Sequence, residues 1–311
     1  MWPWSSSRTQ STVVVAHTSE CRSASLSLHL RSLKALLLLI PPRWKPALYN
    51  YIVKFPRIST EIHPTVYRLP PCLVLKITYS TTHVEAAALR FISSVKGIFA
   101  PHLIDEVSTQ AECYLVTTWV EGDCVSHVWD RLSPSDKQMI VDDLSSQLQI
   151  LRSYNMMSVA EQTICNAAGG PVNVPRIPWV ARKNPRTFST CQEFARQVWV
   201  GLDKESNQTT LKPLIERDHI PIVFTHGDIV PRNLIFIGGL ERWRDGRSRI
   251  CLIDWEFSGW LPLYWEALKA SFLEFKVDGD WLQMVRQIFP ECSTELDADW
   301  EWRSRSKVSI L

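Results

Sequence analysis

The chain has 311 residues and a formal net charge of +2 at neutral pH, enough for one bilobal domain or two ordinary ones. A charge this close to balance gives no global attraction to nucleic acid or to an anionic membrane, and the 45% apolar content is that of an ordinary globular protein. The eight cysteines are scattered, without C-x-x-C and without histidine at metal-ligand spacing, so they read as reduced, mostly buried thiols of a reducing compartment.

Residues 1–45 read as an N-terminal extension. Serines from Ser5 to Ser27 and the basic Arg8, Arg22, Arg31 and Lys34 dominate it, and up to Pro42 the only acid is Glu20. That is the composition of a transit peptide, which sets a mitochondrial location beside the cytoplasmic one. A disordered leader, or a helix packed on the following lobe, fits the same residues. Leu26, Leu30, Leu33 and Leu37 would share one helix face, which Pro41-Pro42 would end. The apolar run Ala35 to Ile40 falls far short of the roughly 20 residues a bilayer span needs, so no stable membrane insertion is expected.

From Tyr49 the pattern is β. Thr65 to Leu69 and Cys72 to Ile77 read as two antiparallel strands joined at Pro70-Pro71, with Lys76 near the end of the second. His83 to Ser93 reads as a helix with Ala87, Ala88, Phe91 and Ile92 on one face and Glu85 in its first turn, where a negative charge is favourable. Taken alone, Lys76 is a solvated lysine at a strand end. Cys113 to Val120 is a further strand, followed by Glu121-Gly122-Asp123. Ser133-Pro134 starts a long helix whose apolar positions Ile140, Val141, Leu144, Leu148 and Leu151 recur at helical spacing. Asn155 to Pro185 is loop-rich, Phe188 to Ile215 contains one more helix, and Leu263 to Phe275 and Asp280 to Phe289 are two others.

Thr225 to Glu256 carries the chemistry. Apolar runs at Ile220 to Phe224, Leu234 to Ile237 and Ile250 to Ile253 place a loop between His226 and Asn233, then a hairpin that turns at Gly238-Gly239 and delivers Asp254. A hydroxyl attacking the γ-phosphate of ATP needs a carboxylate to take its proton and Mg²⁺ to neutralise the developing charge. Mg²⁺ prefers hard oxygen ligands. Asp228 is expected as the proton acceptor, and Asn233 and Asp254 as the metal ligands. His226 fits a structural role, Gly227 a backbone conformation other residues resist, and Arg232 either a solvated position or a phosphate contact.

The strings H-G-D-I-V-P-R-N-L (His226 to Leu234) and I-D-W-E-F-S-G-W (Ile253 to Trp260) resemble the aminoglycoside phosphotransferase family of small-molecule kinases. The following L-P-L-Y-W-E-A-L-K-A (Leu261 to Ala270) resembles its fungal members. Eukaryotic protein kinases would show H-R-D and D-F-G instead. The resemblance spans Tyr67 to Trp302 and implies an α+β, bilobal protein-kinase-like fold. A small antiparallel β lobe with one key helix would occupy residues 46–120, and a larger, mainly helical lobe residues 121–311. It implies ATP and Mg²⁺ as cofactors and a small-molecule hydroxyl as acceptor.

By that resemblance Lys76, held by Glu85, faces the α- and β-phosphates. Phe99 to Leu103 links the helix to the next strands, and Thr118 and Val120 lie at the hinge where adenine is held. Residues 188–215 would shape the acceptor pocket. Glu256, Glu266 and Glu274 would form either an acidic pocket for a cationic acceptor or a solvated helix face. A G-x-G-x-x-G loop is missing, and Pro42 to Lys76 contains no glycine. That leaves the phosphate-covering loop unassigned and keeps open the alternative of a pseudokinase, a nucleotide-binding or scaffolding protein without turnover.

Overall fold

The computed structural model describes residues 27–78, 82–154, 163–174, 177, 185–201, 205–272 and 279–305. It opens with α1 (Leu28–Leu39), capped by Ser27, and α2 (Lys45–Val53), with the Pro41-Pro42 stop between them. Leu30, Leu33 and Leu37 of α1 pack on a small core that includes Tyr49, Leu69, Leu75 and Val116, as the leucine spacing predicts; Leu26 lies outside the described residues. Residues 28–45, read from sequence as part of an extension, therefore pack on the small lobe. From α2, Lys45 pairs with Asp105 at 2.6 Å, and the Tyr49 hydroxyl donates to the same buried carboxylate.

Five strands form one antiparallel sheet: β1 (Thr60–His63), β2 (Val66–Leu69), β3 (Leu73–Thr78), β4 (Leu103–Ser108) and β5 (Cys113–Thr118). Their order is β1-β2-β3-β5-β4. Between β3 and β4 the chain makes α3 (Thr82–Ile92), which packs on β4 and β5. Val84, Ala86, Ala88, Leu89 and Ile92 are buried there. Small alanines let the helix approach the sheet closely, which brings Glu85 to the level of Lys76.

The second half is mainly helical. β6 (Gly122–Cys124) precedes α4 (Pro134–Ser153), whose start is a capping box between Ser133 and Asp136. A hydrogen bond from Arg244 holds the Asp136 carboxyl down at about 2, against the cost of its burial. Then come β7 (Cys165–Asn166), α5 (Cys191–Val198), α6 (Glu205–Ile215), β8 (Ile222–Thr225), β9 (Leu234–Ile237), α7 (Leu240–Arg244), β10 (Ile250–Leu252), β11 (Gly259–Pro262), α8 (Trp265–Ala270), α9 (Asp280–Ile288) and α10 (Ser293–Arg305). Two three-stranded sheets, β10-β9-β6 and β7-β11-β8, hold the loop between β8 and β9 from either side.

Five departures from the sequence reading concern local structure. The β pattern expected from Tyr49 begins only at Thr60, because Tyr49 to Val53 lie in α2. The single helix expected between 188 and 215 is two, α5 and α6. The expected turn at Gly238-Gly239 leads into the short α7 before the hairpin closes. The helix expected from Leu263 to Phe275 is only Trp265–Ala270, with residues 273–278 outside the described set. The last helix, α10, was not anticipated. Its apolar residues Leu296, Ala298, Trp300 and Trp302 recur every second position, which hides the helical period. Tryptophans do build the core: Trp199, Trp255, Trp265 and Trp302 are fully enclosed. The described cysteines are free thiols, mostly buried, although Cys72 is exposed. No helix among the described residues is long and apolar enough to cross a membrane.

Candidate active site

β8 ends at Thr225 and the chain turns at once. Gly227 has φ +81°, and a β-carbon there would stand 2.2 Å from the Phe257 carbonyl oxygen, so only glycine fits. His226 is fully buried. Its Nδ1 accepts the Asp228 N–H at 3.2 Å, which leaves Nε2 to donate to the Ile253 carbonyl at 3.0 Å. Both nitrogens serve the neutral ring, and burial pushes its pKa down to about 4. His226 thus ties the loop to the residue before Asp254, the structural role the sequence suggested.

Asp228 is buried and surrounded by donors. Its Oδ2 accepts from Asn233 Nδ2 at 2.9 Å and from Arg232 at 2.7 Å, while Lys269 Nζ stands 3.4 Å from Oδ1. Arg232, left open between solvent and phosphate, is ion-paired to Asp228 with half its side chain exposed. Lys269 comes from α8 and is almost completely buried, with its ammonium 5.1 Å and 5.5 Å from the ring centres of Phe257 and Phe272. A cation–π contact on each side offsets part of the cost of burying that charge.

Asp254 follows β10 with φ +67°, a left-handed conformation that costs a non-glycine residue on the order of 1 kcal/mol. Its neighbours hold it there. The Ile253 N–H donates to the Asn233 carbonyl at 3.0 Å, and Trp255 Nε1 donates to the Leu252 carbonyl at 2.8 Å. So the hairpin does bring Asp254 back beside Asn233, as the strand spacing predicts. The Asp254 carboxylate itself turns to Lys76, 2.5 Å from Nζ. Lys76 also meets Glu85 at 2.9 Å and Glu256 at 3.4 Å. Burial opposes the charge on Lys76, but the three carboxylates outweigh it and hold the ammonium firmly protonated. Burial likewise opposes the charge on Asp254, and Lys76 outweighs it, so this carboxyl lies below its usual range.

The donor set suits a hard divalent cation. Asn233 gives its Nδ2 to both the carbonyl and Oδ2 of Asp228, which turns its amide oxygen away from that residue. Asp254 uses one oxygen on Lys76. An amide oxygen and a carboxylate oxygen, on strands joined by the Ile253–Asn233 hydrogen bond, are the ligand types Mg²⁺ takes.

Glu266 is the residue that sequence reasoning misplaced. Neither an acidic pocket nor a solvated helix face holds it: it is 1% exposed. Its carboxylate accepts the His226 N–H at 2.6 Å and the Gly227 N–H at 3.0 Å, so it anchors the loop that carries Asp228. Burial raises its pKa to about 7, against those hydrogen bonds. The signal was a glutamate and a lysine inside the apolar run Tyr264 to Ala270, every residue of which is buried. Glu256 is likewise engaged, by Lys76, and Glu274 lies outside the described residues.

At the hinge, the Thr118 N–H donates to the His102 carbonyl and the Thr118 hydroxyl accepts the His102 N–H, so both groups serve the sheet. Val120 lies two residues on, half-buried, in the link between β5 and β6. The turn between β1 and β2 is only two residues, Pro64-Thr65. It lies beside Lys76, because Val66 pairs with Lys76 and the Ile77 N–H donates to the Thr65 carbonyl at 2.8 Å.

A family model described as "APH: Phosphotransferase enzyme family" matches residues 51–298. No curated protein matches the chain in sequence. Among solved structures, a Haemophilus somnus 129PT protein provisionally assigned as a fructosamine-3-kinase is 10% identical, with 79% of this chain and 80% of that one covered and a TM-score of 0.49. A streptomycin–ATP–APH(2")-IIa ternary complex is 14% identical, with 81% and 86% covered and a TM-score of 0.47. The aminoglycoside phosphotransferase APH(3'')-Id of Streptomyces rimosus ATCC10970, in complex with ADP and streptomycin, is 15% identical, with 78% and 92% covered and a TM-score of 0.43.

Proposed function

Because the chain belongs to the APH phosphotransferase enzyme family, we propose that it transfers the γ-phosphate of ATP to a hydroxyl of a small molecule, with Asp228 as the proton acceptor. The observation that carries this reading is a buried carboxylate, Asp228, fixed by Asn233, Arg232 and Lys269 at one end of a hairpin whose other end sets Asp254 on Lys76. The acceptor oxygen forms a bond to the γ-phosphorus as the bond from that phosphorus to the bridging oxygen of ADP breaks. ADP leaves with the electron pair, and the acceptor's proton passes to Asp228. Lys76, held by Glu85, orients the α- and β-phosphates, and the main chain at Thr118 and Val120 faces adenine. Asn233 and Asp254 would hold Mg²⁺, which when bound neutralises charge on the phosphate oxygens.

Calorimetric titration of ATP, with and without Mg²⁺, tests the nucleotide site on the wild type and on Asp254→Ala. Tight binding that needs both Mg²⁺ and Asp254 is expected. An absence of binding in every condition overturns the reading. Asp228→Asn should keep nucleotide binding and lower transfer by about 10³-fold, the scale of a lost general base. A second reading, nucleotide binding without turnover, is favoured by one observation: the turn beside Lys76 is only Pro64-Thr65 and lacks glycine. ATP binding with no phosphate transfer to any hydroxyl compound would select it.

A further inference from the structure

The inference concerns the outer side of the first helix and stands apart from the kinase reading. Of the ten large hydrophobic side chains exposed among the described residues, nine lie between Leu28 and Ile62. Scattered exposed leucines are ordinary on a protein surface, but a concentration in one segment marks a contact.

α1 is apolar on two sides. Leu30, Leu33 and Leu37 pack on the small-lobe core, and Lys34 donates to the Leu103 carbonyl. Leu39 lies nine positions beyond Leu30, about two and a half turns, and so stands on the opposite side of the helix. Leu28 and Ala35 share that outer face by their spacing. All three are exposed, Leu28 by 76% and Leu39 by 79%. Leu38 with Arg31 borders the face on one side, and Leu36 with His29 on the other; all four are exposed. A helix on the surface of a soluble domain normally turns a polar face outward. Just past the Pro41-Pro42 stop, Trp44 is also exposed, with the Arg43 guanidinium 5.6 Å from its ring centre.

The charge of this region has one sign. Residues 1–60 carry eight lysines and arginines against a single acid, Glu20. Arg31, Arg43, Lys54 and Arg57 are exposed. The balanced total of the whole chain hides this excess. At physiological salt, exposed charges more than about 8 Å apart are largely screened, so a partner meets the local charge and not the total. The sign selects the occupant. A second copy using the same face would set these basic residues against themselves. Residues 1–26 bring Arg8 and Arg22 against Glu20 alone, so they offer no complement. An anionic lipid surface offers one, with headgroups for the arginines and an acyl boundary for the leucines and Trp44.

We propose that the outer face of α1, with Arg43 and Trp44 beyond its end, docks the protein on an anionic phospholipid membrane. The helix lies flat at the headgroup level. It does not span, because twelve residues reach only about 18 Å. One side of α1 thus holds the small lobe while the other holds the membrane.

Flotation of the full chain with vesicles tests this. Vesicles of phosphatidylcholine containing about 30% phosphatidylserine should bind about tenfold more protein than phosphatidylcholine alone. In about 0.5 M NaCl that advantage should disappear. Arg31→Gln should weaken binding about fivefold, the scale of one basic residue at an anionic surface. Leu28→Ser together with Leu39→Ser should weaken it about a hundredfold. These positions face away from the core, so thermal unfolding of the variants should match that of the wild type, which separates lost docking from lost folding. Equal binding to both kinds of vesicle overturns the inference, as does binding that survives the paired leucine change. Absence of binding overturns it as well, and dimers in sedimentation velocity that Leu39→Glu dissolves would then name a second copy as the occupant.

Discussion

The two charged clusters of the site are built as opposites. Around Lys76 one ammonium faces three carboxylates, Glu85, Asp254 and Glu256. Around Asp228 one carboxylate faces two cations, Arg232 and Lys269, and the amide of Asn233. The first cluster has more negative charge than its lysine can balance, and the second has more positive charge than its aspartate can. Under the proposed function, the nucleotide half would be incomplete without added cation, whereas the acceptor half would already be assembled. A triphosphate entering beside Lys76 alone would be repelled. Divalent metal is thus expected to govern nucleotide affinity and to leave acceptor binding largely unaffected.

Removing the single cation of the first cluster should break this contrast most severely. In Lys76→Met three carboxylates face one another without compensation. Stability should fall by about 3 kcal/mol in urea unfolding, and transfer should be lost by about 10³-fold. The matching change in the second cluster should be milder, because Asn233 and Arg232 remain on Asp228. Lys269→Met should lower kcat by roughly 10- to 100-fold and leave the calorimetric ATP affinity at its wild-type value, which separates positioning of the base from nucleotide binding.

The smallest effect concerns Glu266, beneath both clusters. Its folded pKa of about 7 lies above its ordinary value of 4.5. The folded state therefore holds this proton more tightly than the unfolded chain. The stabilisation is fully present below pH 4.5 and is lost as pH rises through 7, in total on the order of 3 kcal/mol. Glu266→Gln should remove that slope. Unfolding of the two forms measured across pH 4.5 to 7.5 should show the wild type losing stability relative to the variant as pH rises.

What was legible in the sequence was what local pattern encodes. Apolar runs flanking His226 to Asn233 fixed the strands on either side of that loop, because each run is short, β-rich and bounded by turn residues. Ser133, Pro134 and Asp136 announced α4 through its cap. The approach of Glu85 to Lys76 was implied by the family resemblance and not by local pattern, which on its own reads Lys76 as a solvated strand end. What was not legible depended on distant contacts. Glu266 lies 40 residues beyond His226, and although the apolar run around it marks it as a buried glutamate, nothing there says which amides its carboxylate meets. Arg232 and Lys269 meet on Asp228 only because α8 folds back under the loop. The turn Pro64-Thr65 was overlooked for the opposite reason: its location follows from strand register, and its composition lacks the glycines that would have drawn notice.

The first helix bears on how the protein avoids misassembly. β4 is an outermost strand of the small sheet, and such a strand offers unpaired peptide groups to any other extended chain. α1 packs on β4, and Lys34 donates to the carbonyl of Leu103, the first residue of that strand, at 2.9 Å. A segment whose composition suggests an address label is, from Leu28 onward, a guard on that exposed border. Shortening the chain past Lys34 would open a template for strand exchange between copies before it touched the chemistry.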